Sequence, residues 1–148
     1  DLNIDDTFYI NDNLSIDWYM ERYNFNHKAI FLYDEKEVVG YILSVPITKE
    51  LYDAITNGVI INDVNINPKM IINESDYNYI VSFVLLKEYR NLGYGERLVK
   101  AFINLLQNNK GNYCTLTVSK DGYKFANKFM DYKMNVYKDI NIFVKEYS

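Results

Sequence analysis

The sequence has one cysteine, Cys114, and one histidine, His27. With a single thiol, no intramolecular disulfide and no multi-cysteine metal site can form, and no metal is called for. That fits a reducing cytoplasm. Proline is scarce, with 2 residues, and glycine stops at 6. No Pro/Ser linker, internal repeat or low-complexity tract divides the 148 residues, so one domain spanning 1–148 is expected, long enough to bury its own core. No apolar run approaches the roughly 18 residues of a membrane span. No signal-peptide pattern shows, although the chain begins at Asp1 without methionine, which leaves a leader or earlier residues open. Basic charge is outnumbered, 16 Lys+Arg against 20 Asp+Glu, for a net charge of −4. Without a Lys/Arg run, that balance argues against a general electrostatic grip on nucleic acid.

What is abundant is aromatic: 15 Tyr and 8 Phe. Hydrophobic residues make up 49% and charged residues 24%, a globular composition, and packing accounts for most of the rings. "TFYI" (7–10) suggests a short strand, and "SIDWYMERYNF" (15–25) a helix capped by Ser15, with Trp18, Arg22 and Phe25 at helical spacing. "AIFLYDEKEVVGYILSV" predicts a hairpin turning at 34–37. "ITKELYDAITNG" (47–58) predicts a helix stopped by Gly58. Residues 59–75 suggest loop with a short strand. "NYIVSFVLL" (78–86) predicts a strand, followed by a helix facing Leu98, Ala101, Phe102, Leu105 and Leu106 to the core. A strand over 112–118, a helix over 122–132 and one or two final strands broken near Lys138-Asp139 complete an α/β pattern with a mixed sheet.

Between the 78–86 strand and its helix lies "YRNLGYG", residues 89–95. Helix N-termini expose partnerless N–H groups at the positive end of the peptide dipoles. A loop that wraps such donors around a concavity suits phosphate. A purely structural strand–helix turn fits the spacing equally well. A nucleotide P-loop needs Lys after its last glycine, but Glu96 and Arg97 follow Gly95. A dinucleotide fingerprint needs Gly or Ala where Leu98 stands.

The segment resembles the R/Q-x-x-G-x-G/A motif of the GNAT superfamily, the acyl-CoA-dependent N-acyltransferases. "EVVGYILSV" upstream and "CTLTVSKDGYKFANKFMDYKMNVY" downstream are similar to the family's flanking elements, so the resemblance spans about 29–144. It implies a mixed, mostly antiparallel central sheet splayed at the coenzyme site and flanked by helices. It implies that Arg90, Asn91, Leu92, Gly93, Tyr94 and Gly95 cradle the pyrophosphate of acetyl-CoA, with Arg90 contributing mainly its N–H. Leu85 and Leu86 would offer main-chain groups to pantetheine and the acetyl carbonyl. Asn91 stands where the family commonly has glycine, and Lys87 where proline is frequent. Met130 falls where the family's acid, a tyrosine, belongs, and Tyr123 where its Asn belongs.

No acid therefore carries over. Tyr132 lies two residues beyond, about 200° round a regular helix. Glu74 and Asp76, before the central strand, are the candidate general bases acting through a water. Ser82 is a weaker cleft candidate, and His27 and Cys114 are expected to be structural. The implied activity is acetyl transfer from acetyl-CoA to a primary amine of a small-molecule or peptide acceptor by direct attack, in the cytoplasm, with no nucleic-acid or membrane partner. A non-catalytic acyl-CoA sensor of the same fold is the alternative, and a nucleotide-binding α/β protein a third. The acidic balance favours a cationic acceptor such as a polyamine or aminoglycoside, with specificity expected in 47–75. A homodimer is left open.

Overall fold

In the computed structural model, which describes residues 2–5, 28–35 and 37–147, the chain forms β1 (Leu2–Asp5), β2 (Lys28–Asp34), β3 (Glu37–Ile47), α1 (Lys49–Thr56), β4 (Tyr77–Leu85), α2 (Tyr94–Asn109), β5 (Asn112–Thr117), α3 (Lys120–Phe129), β6 (Asp131–Tyr137) and β7 (Ile140–Glu146). The strand expected at 7–10, the helix at 15–25 and His27 lie outside the described residues. The strands form one sheet in the order β1-β2-β3-β4-β5-β7-β6. Neighbours are antiparallel except β4 and β5. This is the mixed α/β sheet that the sequence pattern implied, and it is mostly antiparallel as the family resemblance implied.

Local chemistry sets the element ends. The β2–β3 hairpin turns at Glu35, which takes φ +57°. Thr48 caps α1, its hydroxyl accepting from Leu51 N–H at 3.1 Å, and Gly58 at φ +77° follows the helix. The expected short strand within 59–75 reduces to two turns of 3₁₀ helix, Asp63–Asn65 and Pro68–Met70, and a single bridge from Ile71 to Ile47. α3 ends at Phe129, not 132 as its apolar spacing suggested. From Asp131 the pattern Asp-Tyr-Lys-Met-Asn-Val alternates at a period of two, and backbone pairing with β7 (Asp131 to Val144, Tyr132 to Phe143) wins over another helical turn.

α2 and α3 cover one face of the sheet, where Leu98, Phe102 and Leu106 meet Ile30, Leu32, Ile42 and Phe143. Fully burying such a side chain is worth roughly 1.5–3 kcal/mol, so three of them seat α2 firmly. Gly40 lets α2 come this close: a Cβ there would lie 3.0 Å from Val84 O and 3.1 Å from Leu98 Cδ1. α1 covers the other face through Leu51, Tyr52 and Ile55, packed on Val45, Tyr79 and Cys114. Burial pushes the Cys114 thiol up, so it stays protonated and behaves as a small apolar side chain.

One departure from regular pairing matters for function. β4 and β5 pair only at Tyr77–Asn112, Asn78–Tyr113 and Tyr79–Cys114. Beyond that they part, β4 running on to Leu85 and β5 to Thr117. The β3–β4 register slips from Leu43–Ser82 to Ser44–Ile80, leaving Val81 as a bulge that bends β4 at the point of parting. At the crotch, Thr115 Oγ1 donates to the Ile80 carbonyl at 2.8 Å, replacing the ladder bond that the lost pairing removes. Thr115→Val keeps the shape but orphans a buried carbonyl, and is expected to cost about 1–3 kcal/mol in urea unfolding. A cost under about 0.5 kcal/mol would mean that water satisfies the carbonyl instead.

Candidate functional site

The fork between β4 and β5 opens into a cleft of about 650 Å³. One wall is Phe83, Val84 and Leu85 of β4 with Arg90, Asn91, Gly93 and Gly95 of the loop and Glu96 and Val99 of α2; the other is the stretch from Ser119 to Lys128. Phe83 and Phe125 stack across the gap, centroids 3.8 Å apart and planes within 9°, giving the cleft an apolar floor.

Three contacts fix the loop. The Tyr89 hydroxyl donates to the Asp34 carboxylate, tying the 3₁₀ turn Lys87–Tyr89 to the end of β2. That hydrogen bond is the main reason the phenol is pushed up to about 12. Arg90 Nε donates to Leu85 O at 2.8 Å. A guanidinium nitrogen of Arg90 lies 3.7 Å from the Asp121 carboxylate of α3, an exposed pair that orients more than it stabilises. Asn91 takes φ +62° and Gly93 φ +87°. Asn enters the left-handed region more readily than most residues, which lets it stand at Asn91 without glycine.

Gly93 is the N-cap of α2 and supplies no side-chain cap. The Arg97 N–H bonds Gly93 O at 3.2 Å, so the N–H groups of Tyr94, Gly95 and Glu96 precede the helical ladder and have no acceptor within it. They sit at the electropositive end of a 16-residue helix. The space before them is open: a Cβ at Gly93 would meet nothing within 4 Å, and one at Gly95 only Leu85 Cδ2 at 3.9 Å.

The strand side of the cleft differs in one detail from expectation. Leu86 N–H donates to Val39 O at 2.8 Å and Leu86 O accepts from Tyr89 N–H at 2.9 Å, so the N–H of Leu86 is spent within the fold and its carbonyl already holds one donor. The first of these bonds makes Gly40–Leu85 a non-hydrogen-bonded pair. Leu85, and Phe83 two residues before it, therefore turn their main-chain groups away from β3 toward the side β5 has left. Arg90 takes the Leu85 carbonyl, which leaves Leu85 N–H and both groups of Phe83. Phe83 was missed from sequence; strand alternation counted back from Leu85 was the signal that could have found it. Leu92 is 64% exposed and, like Tyr94, is not part of the cleft wall. The Tyr94 ring lies by Tyr89 and the Arg97 guanidinium.

The candidate acid and bases are not brought into the cleft. Glu74 and Asp76 are exposed at the paired end of β4, about 13 Å of extended strand before Ile80 in the case of Asp76. The Asp76 carbonyl accepts from Asn112 N–H at 2.6 Å, holding the pairing before the fork. Tyr132 stands on β6, 48% exposed, with its ring against Phe143 and Tyr123. Met130 is buried in the core beneath α3. Ser82, half-buried beside the Val81 bulge, does not line the cleft.

A parallel strand pair that forks beside an uncapped helix N-terminus is the arrangement the loop motif implied, and the model of the acetyltransferase (GNAT) family matches residues 3–132. The chain belongs to the GNAT acetyltransferase family. Solved structures agree on the GNAT fold across the whole chain at low identity. A GNAT-family protein from Desulfovibrio desulfuricans is 9% identical with a TM-score of 0.64, each chain covered to 100%. A GNAT acetyltransferase from Elizabethkingia anophelis with acetyl-CoA bound is 11% identical, TM-score 0.57, over 98% of this chain and 97% of that one. An acetyltransferase from Bacillus subtilis in complex with CoA is 14% identical, TM-score 0.58, over 99% of each. No curated protein matches the chain.

The two glycines of this GNAT loop are expected to behave differently in the ligand-free protein. Gly93→Ala forces a Cβ into the left-handed region and should cost about 1–2 kcal/mol although the side chain has room. Gly95→Ala sits inside the first helical turn and should be neutral or stabilise by up to about 1 kcal/mol. Denaturant unfolding of both variants checks the contrast; equal effects would show that the loop is not set by the Gly93 dihedral.

Proposed function

We propose that the chain binds acetyl-CoA in this cleft and transfers its acetyl group to a primary amine of a small-molecule or peptide acceptor in the cytoplasm. The observation that carries the reading is one cleft holding both an uncapped helix N-terminus and a strand edge relieved of its partner. The first suits a pyrophosphate, whose oxygens need N–H donors and positive potential. The second suits pantetheine, whose amides can pair with Phe83 and Leu85 as a short added strand. Coenzyme-bound structures of the same fold, from Elizabethkingia anophelis and Bacillus subtilis, support it.

In this reading the pyrophosphate lies against the N–H groups of Tyr94, Gly95 and Glu96, framed by Arg90, Asn91 and Gly93. The thioester reaches toward the fork, and the Leu85 or Phe83 N–H holds the oxyanion of the tetrahedral intermediate. The amine nitrogen forms a bond to the carbonyl carbon, the C–S bond breaks, and the thiolate leaves. The amine proton goes to water, because Glu74 and Asp76 stand at the paired end of β4, away from the fork. Positioning supplies much of the rate. The thiolate needs little help, since a thiol of this kind has a pKa near 8.5. Water therefore protonates it, and Tyr132 is not required. α1 and the 3₁₀ turns after it, on the opposite face of the sheet, would meet a cationic acceptor.

A second reading, an acyl-CoA sensor without turnover, is favoured by the burial of Met130 where the family carries its tyrosine. Two measurements decide. CoA should raise the melting temperature by binding only the folded state, and Gly95→Val should abolish that rise while the variant stays folded. Stabilisation by ATP or NAD with none by CoA overturns the proposal. Acetyl-CoA should then release free thiol on a panel of polyamines and aminoglycosides; binding without release on any amine leaves the sensor. Tyr132→Phe is expected to lower kcat by less than about tenfold, against the 10²–10⁴ of a general acid.

A further inference from the structure

The cleft contains two cations that the pyrophosphate loop does not use. Lys124 and Lys128 both line it from α3, one turn apart on the wall facing the loop. Both side chains are exposed, and among the described residues no ion pair is found at either ammonium. Like charges at i and i+4 repel by about 0.2–0.5 kcal/mol on a helix surface. Lys128, in the last turn, offsets this through the helix dipole; Lys124, in the middle, does not.

The other charges of the cleft are Arg90, Glu96 and Asp121. Arg90 is committed to Leu85 O and Asp121, and Glu96 repels an anion at the mouth of α2. The loop thus acts through main-chain N–H groups, which suit a diester that carries one charge per phosphate. Two ammoniums about 5–6 Å apart at Cβ suit a different anion: a phosphate monoester, with roughly −1.5 to −2 charges at pH 7 concentrated on three oxygens. Lysine binds such a group as a point charge. CoA carries one monoester, the 3′-phosphate of its ribose, besides its diphosphate.

We propose that Lys124 and Lys128 form a 3′-phosphate subsite that makes this cleft select CoA over 3′-dephospho-CoA. The inference rests on the coenzyme reading above and adds the residues that discriminate within it.

Titration calorimetry with CoA and with 3′-dephospho-CoA at low ionic strength tests it on the wild-type chain, Lys124→Gln, Lys128→Gln and the double variant. Wild type should prefer CoA by roughly tenfold or more, equivalent to about 1.4 kcal/mol. The double variant should bring the ratio of the two affinities to about one, each single variant falling between. Raising salt should shrink the wild-type ratio, because the contacts are exposed and screened. Both lysines are on the surface, so unchanged melting temperatures are expected to exclude misfolding. Equal wild-type affinities for the two coenzymes overturn the subsite while leaving the coenzyme reading intact, as does a preference that survives the double substitution. Failure of both coenzymes to bind overturns both readings.

Discussion

The parting of β4 from β5 after Tyr79–Cys114 is the constraint on which the rest depends. A sheet that kept pairing to Leu85 would have no cleft and no free strand edge, and the N-terminus of α2 would face a closed surface. Unpaired main-chain groups in the interior are costly, so a sheet does not open without local compensation. Here the Val81 bulge turns β4, Thr115 takes over the Ile80 carbonyl, and Phe83 stacks on Phe125 to fill the widening gap. Polar and apolar compensation each sit where the lost pairing would otherwise leave a defect.

The same economy governs the loop. Two of its side chains, Tyr89 and Arg90, hold the loop in place, while main-chain groups face the cleft. Arg90 reads as an anion-binding residue by type, yet Nε is bonded to Leu85 O and its outer nitrogen leans toward Asp121. Tyr89 is tied to Asp34. Fixed main-chain donors cost little reorganisation when an anion arrives, whereas long cationic side chains lose rotamer freedom. The exposed cations, Lys124 and Lys128, are left to the opposite wall.

Much of this was legible in the sequence wherever local pattern and tertiary need coincide. The β2–β3 hairpin, β4, α2 and β5 follow from periodicity, because the face that alternates or repeats at 3.6 residues is the face that is buried. The end of α3 was not legible. Phe125, Ala126 and Phe129 give helical spacing that Tyr132 extends only if the period is kept. Pairing of β6 with β7, decided by residues ten or more positions later, changes the period at Asp131 and sets Tyr132 on a strand, its ring against Tyr123 and Phe143 and outside the cleft wall. Glu74 and Asp76 were likewise near the right strand but at its paired end.

By itself the sequence determined that one chain with a single thiol would build an α/β domain around a strand, a loop of type R-x-x-G-x-G and a helix, and that the loop would bring donors to a helix start. Those are properties of residues adjacent along the chain. Which main-chain groups stay free was decided only by the fold. Leu86 has both of its groups engaged, by Val39 and Tyr89, while Phe83 turns its own toward the side β5 has left. The reason is that availability in a sheet is the remainder after every neighbour has paired, and the neighbours of β4 come from segments some forty residues before it and thirty after.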